Sequence, residues 1–227
     1  MRFRPGMEGW GGRPAGIALL AAGWLILVSA LHLHLNGEGG GPRTIAMGYM
    51  PVITNLAAPL LDYATREGDG VRFKAVKFAS FAEMAAALRN DEIQAAFIIA
   101  PLAIVLKQQG VDVRIVYIGN RHESTLVARR DLDVAAVDDL AGKTVAVPIR
   151  YSGHYLLMRK VLAERGLSGE VRLVEMNPPD MASALTSGVL DAYFVGEPFA
   201  AQTLKSGDAV RVHHVEELWP GFICNLM

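Results

Sequence analysis

From Arg43 to the C-terminus, short β-branched runs alternate with helical stretches, and this rhythm limits the fold more than any other feature of the 227-residue chain. Residues 44–49 predict a strand, and residues 54–64 a helix that is apolar at Leu56, Leu60 and Tyr63. Residues 71–78 alternate with period two, the pattern of a half-buried strand. Ser80 is placed to cap the next helix, with Glu83 three residues on completing a capping box. Residues 93–99, apolar but for Gln94, read as a strand buried on both faces. A helix over 101–109, stopped by Gly110, and a strand over 113–118 complete a βαβαβαβ order. Right-handed crossovers turn that order into a parallel sheet with helices on both faces.

The rhythm then restarts. Strands are expected over 126–129, 144–147, 171–175, 191–195 and 209–213, with helices over 153–165, 180–187 and 198–204 between them. Two αβ series of about 80 residues each, joined by one extended segment, predict two lobes facing a cleft. Ligands of open α/β sheets sit beyond the carboxyl ends of the strands, so the strand-to-helix turns are where contacts belong.

The first 42 residues differ from the rest. Arg2, Arg4 and Arg13 precede an uncharged stretch from Pro14 to Leu35 that includes Ile17, Leu19, Leu20, Trp24, Leu25, Ile26, Leu27 and Val28. A cationic flank before an apolar run is the pattern of a signal peptide or signal-anchor, with the arginines left in the cytoplasm. The run approaches the roughly 20 residues that span a bilayer. It shows no clear Ala-x-Ala cleavage pattern and no lipoprotein cysteine, which favours an uncleaved anchor. Residues 37–42, rich in glycine, read as a flexible tether.

Composition excludes several classes. A net charge of -1 gives no electrostatic footprint for nucleic acid. The single cysteine, Cys224, excludes an internal disulfide framework and any cysteine-based zinc cluster. It lies in the apolar run Phe222-Ile223-Cys224, where a buried, inert thiol is expected. No cofactor motif is present, and His213-His214 near Glu216-Glu217 reads as an exposed turn rather than a metal site.

Two segments carry a resemblance. Residues 138–147 (Asp-Asp-Leu-Ala-Gly-Lys-Thr-Val-Ala-Val) resemble the opening of the second lobe in the periplasmic solute-binding proteins of ABC importers. Residues 185–199, ending Gly196-Glu197-Pro198-Phe199, resemble a signature of the same family. With Tyr151-Ser152-Gly153-His154 and Ser80-Phe81 they point to its nitrate, bicarbonate, sulfonate, taurine and thiamine-precursor branch. The resemblance covers residues 43–227. It implies a two-lobed α/β fold of the periplasmic-binding-protein type (type II), with parallel-rich sheets, flanking helices and a preceding N-terminal apolar helix. It implies domains at 1–42 (signal-anchor and tether), 43–125 (first lobe), 126–218 (second lobe) and 219–227 (a strand returning to the first lobe). Family members continue past the second crossing, so a first lobe ending at Met227 is expected to be incomplete and to expose apolar surface. The implied function is extracytoplasmic capture of a small, anionic ligand for an ABC permease in the membrane, in the periplasm, either anchored or secreted.

The turns supply candidate ligand contacts. Helix N-termini present unpaired N–H groups and partial positive charge to a small anion. Ser152, Gly153 and His154 form the best such turn, and the matching turn in the family lies in the cleft. Thr54 and Asn55 open a helix with the same logic, and Ser80 caps another. Ala100, before Pro101, offers backbone only; Ser124, with Thr125, begins the first crossing; Glu197 sits at a strand-to-helix turn. If Glu197 touches the ligand, a protonated, zwitterionic or amine-bearing ligand is favoured. Arg121, His122 and Arg150 are candidates for countercharge.

Catalysis is the rival class. The chain has no Gly-x-Ser-x-Gly, His-Glu-x-x-His, Walker loop or Gly-x-Gly-x-x-Gly after a strand. The fold also resembles the pyrimidine synthases of thiamine biosynthesis, but those use a cysteine-rich iron motif, against one cysteine and an export segment here. The expectation is therefore a non-enzyme, with an anchored ligand-sensing or interaction module as the other alternative.

Overall fold

The computed structural model describes residues 13–36 and 43–227; the expected tether at 37–42 and the arginines Arg2 and Arg4 lie outside them. The two described segments fall into separate compact units. The first is a single helix, α1 (Arg13–Asn36). Its stretch Gly16–Leu33 has a mean hydropathy of 2.1, long and apolar enough to cross a membrane by length and composition. Leu19, Trp24 and Ile26 are each at least 66% exposed, and apolar side chains lie on every side, so no polar face is available for solvent.

The second unit, Arg43–Met227, has three sheets, of which two three-stranded ones follow each other across Phe97 and together repeat, as a first composite sheet, the plan of the five-stranded second one. In the first, β1 (Thr44–Tyr49) pairs in parallel with β2 (Arg72–Lys77) and β3 (Ala95–Ala96). The chain breaks step at Phe97, and β4 (Ile98–Ile99) then pairs antiparallel with β11 (Ile223–Leu226), which also pairs with β5 (Ile118–Arg121). In the second sheet the order is β10 (Ala209–His214), β6 (Ser124–Arg129), β9 (Ala192–Gly196), β7 (Thr144–Val147), β8 (Arg172–Glu175). Read from the other edge, each sheet has two parallel strands, then a third, then an antiparallel strand arriving from the opposite lobe. That strand is β11 in the first sheet and β6 in the second.

Helices α2 (Ala57–Ala64), α3 (Phe81–Arg89) and α4 (Ala100–Gln108) belong to the first lobe. Helices α5 (Gly153–Glu164), α6 (Pro178–Thr186) and α7 (Phe199–Ser206) belong to the second, followed by the single turn α8 (Val215–Leu218). Their starts follow from local chemistry. Ser80 Oγ accepts the Glu83 N–H at 3.1 Å, and Glu83 Oε2 reaches back to the Ala79 N–H at 3.3 Å. Proline opens α4 and α6, where a missing N–H costs nothing. The strands of the second sheet carry the deepest core, with Leu126, Val145, Val147, Phe194 and Leu157 of α5 fully buried.

Three expected elements differ. The strand expected to run unbroken over 93–99 in a parallel sheet divides at Phe97 into β3, parallel to β1, and β4, antiparallel to β11. The helix over 54–64 divides into a 3-10 turn, Ile53–Asn55, and α2, so Thr54 and Asn55 stand in the turn and not at an α-helix start. The strand expected over 113–118 begins only at Ile118. Its one paired neighbour among the described residues, β11, lines up with residues 118–121, which leaves Val116 and Tyr117 mostly exposed with their N–H groups directed at the Met227 carbonyl.

Candidate functional site

The strand ends and helix starts of both lobes converge on a small cavity. It is lined by Val52, Thr54, Phe81 and Ile99 of the first lobe, by Pro148, His154, Pro178, Val195 and Gly196 of the second, and by Cys224 and Asn225 of β11. Its volume is about 20 Å³, room for roughly one water molecule. Anything larger enters only if the lobes part. A backbone bond holds them together at this point, the Ile53 N–H donating to the Glu197 carbonyl at 3.0 Å. A larger groove of about 820 Å³ runs along α3, α4 and residues 109–116 on the flank of the first sheet. It lies away from the strand-to-helix turns, and the small cavity is the one with buried polar atoms in its walls.

His154 is the centre of the second-lobe wall. Ser152 caps α5, its hydroxyl accepting the Tyr155 N–H at 3.1 Å, and both residues 152 and 154 are at most 3% exposed. This leaves the Gly153 and His154 N–H groups in the first turn, where no helical carbonyl is available to them. Gly153 admits a ring against the helix: a Cβ there would lie 2.5 Å from two carbons of Phe222. The His154 imidazole packs edge-on to Phe194, with centroids 4.9 Å apart, and against Phe222 at 5.8 Å. Its Nε2 lies 2.8 Å from Ser124 Oγ, and its Nδ1 is buried without a partner. Burial pushes its pKa down to about 4, so at neutral pH the ring is an uncharged hydrogen-bonding unit. Ser124 and His154 have the spacing of a nucleophile and its base. With no carboxylate on Nδ1 and so low a pKa, the ring is poorly suited to take a proton at neutral pH.

The first-lobe wall is an amide cluster. Asn225 Nδ2 donates to Thr54 Oγ1 at 2.6 Å and to Asn55 Oδ1, Asn55 Nδ2 donates to the Phe97 carbonyl at 3.4 Å, and Asn225 Oδ1 has no donor. Thr54, Asn55 and Asn225 are all at least 94% buried. Thr54 and His154 thus line the cavity directly. Asn55 and Ser124 stand one hydrogen bond behind it, and Ser80 and Ala100 adjoin the lining residues Phe81 and Ile99.

Two carboxylates meet at the crossing between lobes. Glu197 is fully engaged: Thr125 Oγ1 donates to its Oε1 at 3.2 Å, and the Ala201 N–H in the first turn of α7 donates to its Oε2 at 2.8 Å. Behind Thr125, His214 Nδ1 lies 3.4 Å away, and Arg211 Nη1 is 2.8 Å from His214 Nε2. An arginine only donates, so His214 Nε2 accepts and Nδ1 carries the proton toward Thr125. Glu123 has neither carboxylate oxygen partnered, though both are shielded from solvent. Burial pushes its pKa up to about 8; the nearby Glu197 N–H opposes the rise and the Glu197 carboxylate adds to it. That N–H makes its hydrogen bond to the Glu123 carbonyl oxygen, at 3.2 Å.

The remaining charged candidates lie elsewhere. Arg121 Nη1 donates to the Gly221 carbonyl at 2.9 Å, the His122 ring accepts the Gly221 N–H at 3.0 Å, and Arg150 is 3.7 Å from Glu175. His213 Nδ1 sits 2.9 Å from Glu217 Oε2, and no group of three metal-ligating side chains occurs among the described residues. Cys224 is buried, and its thiol is pushed up to about 12, first by desolvation and then by Glu123. Glu123, Phe222 and Asn225 were not singled out as contacts by the sequence. Asn225 did carry a signal, a lone amide inside an apolar strand.

Two α/β lobes of matching sheet order, joined by adjacent crossings over a buried polar cavity, define the two-lobed binding-protein fold. The chain belongs to the NMT1-like family, whose pattern matches residues 38–227. It is 29% identical over 135 residues to the taurine-binding periplasmic protein of Escherichia coli (strain K12), covering 58% of this chain and 41% of that one. The fold matches the ligand-binding component of an ABC-type import system from Staphylococcus aureus, solved with zinc bound, with a TM-score of 0.72 at 24% identity. That match covers 81% of this chain and 65% of the other. The periplasmic nitrate-binding protein of Synechocystis gives 0.70 at 19% identity, over 82% and 55%. The chain therefore spans about two-fifths of the curated relative and less than two-thirds of these solved structures.

Proposed function

We propose that the chain is an extracytoplasmic solute-binding subunit of an ABC importer, and that its ligand is a small anion of the nitrate, bicarbonate or sulfonate class. The observation that carries this reading is the His154 Nδ1 atom, unpartnered in a wall that also holds the first turn of α5. A neutral imidazole and helix-end N–H groups favour an oxyanion without adding formal charge. In this reading Thr54 contacts the ligand from the first lobe, residues 43–125, with Asn55 supporting it from behind and Ser80 and Ala100 shaping the adjoining wall, and Ser124, Ser152, Gly153, His154 and Glu197 act at the second lobe, residues 126–218, or at the crossing. Residues 219–227 return to the first lobe. Ligand shifts the lobes toward closure only as far as it binds the closed arrangement better than the open one. The closed lobes present a surface to a membrane permease, and α1 holds the chain at the membrane or directs its export.

The test is a calorimetric titration of the full chain in mild detergent with nitrate, bicarbonate and ethanesulfonate. Saturable binding of one class, weakened at least about tenfold in His154→Ala, supports the reading. A cooperatively folded chain that binds none of the three overturns it.

A further inference from the structure

The link from the first lobe to the second is two residues long: β5 ends at Arg121, β6 begins at Ser124, and His122 and Glu123 lie between them. Both have left-handed backbone, with φ of 64° and 69°, a conformation that only specific surroundings maintain outside glycine. The second crossing supplies those surroundings: the His122 N–H donates to the Phe222 carbonyl at 3.0 Å, and the Gly221 N–H donates to the His122 ring at 3.0 Å. Hinges are the few residues between rigid elements that absorb a change in φ and ψ, and this link is placed to be one.

The bend turns the Glu123 side chain onto the residue that fastens the lobes together. A Cβ on Gly196 would lie 3.5 Å from both Glu123 carboxylate oxygens, so the carboxyl rests against the Gly196–Glu197 backbone. Glu197 is bonded to three parts of the molecule at once. Its N–H donates to the Glu123 carbonyl at 3.2 Å, its carbonyl accepts the Ile53 N–H of the first lobe at 3.0 Å, and its carboxylate accepts from Thr125 and Ala201 of the second.

The groups around Glu123 offer no countercharge. Glu197, on the β9–α7 turn, is a second carboxylate; Cys224, on β11, is a thiol pushed up to about 12; His154, on α5, is an uncharged ring. His214 of β10 stands behind Thr125 and is bonded to Arg211, while the Arg121 and His122 side chains are bonded to Gly221. Both Glu123 oxygens are shielded from solvent and have no donor among the described residues. Such a carboxyl is stable there only with its proton, and burial accordingly raises its pKa from 4.5 to about 8.

We propose that Glu123 is a proton-operated hinge: protonated, it lies against the Glu197 backbone and the lobes stay closed, and ionised, it turns out to solvent, the bend at 122–123 relaxes and the Ile53–Glu197 bond parts. Closing the lobes around a solute then takes up a proton. This rests on the solute-capture reading above only in that the lobes must part to admit a solute. Between pH 4.5 and 8 the open form releases a proton that the closed form keeps, so opening becomes easier as pH rises and levels off above 8. His154 acts in the opposite sense only below pH 6.5, which leaves the range from 6.5 to 8 to Glu123.

The experiment is amide hydrogen exchange, resolved by residue, on the full chain in mild detergent. Ile53 reports the bond between the lobes, and Val145, fully buried in the second sheet, reports global unfolding. Each rate is divided by that of a free amide at the same pH. The Ile53 opening constant is expected to exceed that of Val145 by about a hundredfold or more throughout. From pH 6.5 to 8 it is expected to rise by about three- to tenfold per unit in the wild type, and by less than about twofold overall in Glu123→Gln. Glu123→Leu, also unable to ionise, makes the same comparison if the glutamine variant does not fold. A wild-type slope no steeper than the variant's overturns the role of Glu123 and leaves the solute-capture reading standing. Exchange of Ile53 at the Val145 rate also overturns it, because the bond then parts only on unfolding. At pH 7, one of nitrate, bicarbonate or ethanesulfonate is expected to slow Ile53 exchange by favouring the closed form. Slowing by none of them overturns the solute-capture reading, while the pH slope still decides the hinge.

Discussion

Ser124 Oγ lies 2.8 Å from His154 Nε2, so the residue that opens the first strand of the second sheet is tied to the helix start that faces the cavity. Both side chains are at least 97% buried. Ser124→Ala is expected to destabilise the chain by about 1–3 kcal/mol, because the ring then has no partner for either nitrogen. Urea unfolding measures the loss. The same variant should weaken ligand binding, since the ring is then free to turn away from the cavity. An unchanged midpoint would show that the ring finds another partner.

Gly153 makes a prediction of opposite sign to the usual one. Alanine normally stabilises a helical position over glycine by about 0.5–1 kcal/mol. At residue 153 the added methyl would lie 2.5 Å from two Phe222 ring carbons, within the space that ring occupies. Gly153→Ala should therefore destabilise by about 1–3 kcal/mol through overpacking. Adding Phe222→Leu to it should return part of the loss, because the two positions contact each other and will not behave additively.

The buried titratable groups give a pH profile with a definite sign. Glu123 has its pKa raised from 4.5 to about 8, so between those values the folded chain keeps a proton that the unfolded chain releases, and stability falls as pH rises. His154 has its pKa lowered from 6.5 to about 4, so over that window the unfolded chain binds the extra proton and stability rises with pH. The two oppose each other below pH 6.5, and above it Glu123 acts alone, beside Glu197 and Cys224. Without ligand, stability should decline from pH 6.5 to 8 by up to about 1.4 kcal/mol per unit. Glu123→Gln should flatten that limb. Denaturant midpoints across the range check it, and a flat wild-type limb would mean Glu123 is already ionised in the folded chain.

Much of the fold was legible because strand and helix periods are local. The Thr144–Val147 strand and the α5 start at Gly153 fall where the pattern puts them, since each is fixed by neighbours in sequence. Residues 113–117 read as a strand because Val113, Ile115 and Val116 are β-branched, yet a strand also needs a partner, and β11 pairs no further than Ile118. The site was partly legible for the same reason. Ser152 and His154 follow from a cap before a helix, a motif readable in a few residues. Glu123 did not stand out among Arg121, His122 and Ser124, a polar cluster that reads as solvated surface. Its burial depends on Gly196 and Cys224, more than 70 residues away, and no local period carries that contact.

Asn225 separates a structural role from a ligand-binding one. Its Nδ2 serves Thr54 and Asn55, and those bonds hold the returning strand against the Ile53–Asn55 turn. Its Oδ1 has no protein donor and is available to a ligand in the cavity that Asn225 lines. Asn55 lies behind it, bonded to Asn225 and the Phe97 carbonyl, and does not line the cavity. Asn55→Ala and Asn225→Ala should each destabilise by about 1–3 kcal/mol, and the double variant by less than their sum, since they share a bond. Ligand separates them. The rise in melting temperature that saturating ligand gives should persist in Asn55→Ala and shrink in Asn225→Ala, because only the second removes an acceptor from the cavity. Equal losses of that rise in both variants would assign Asn225 to the framework alone.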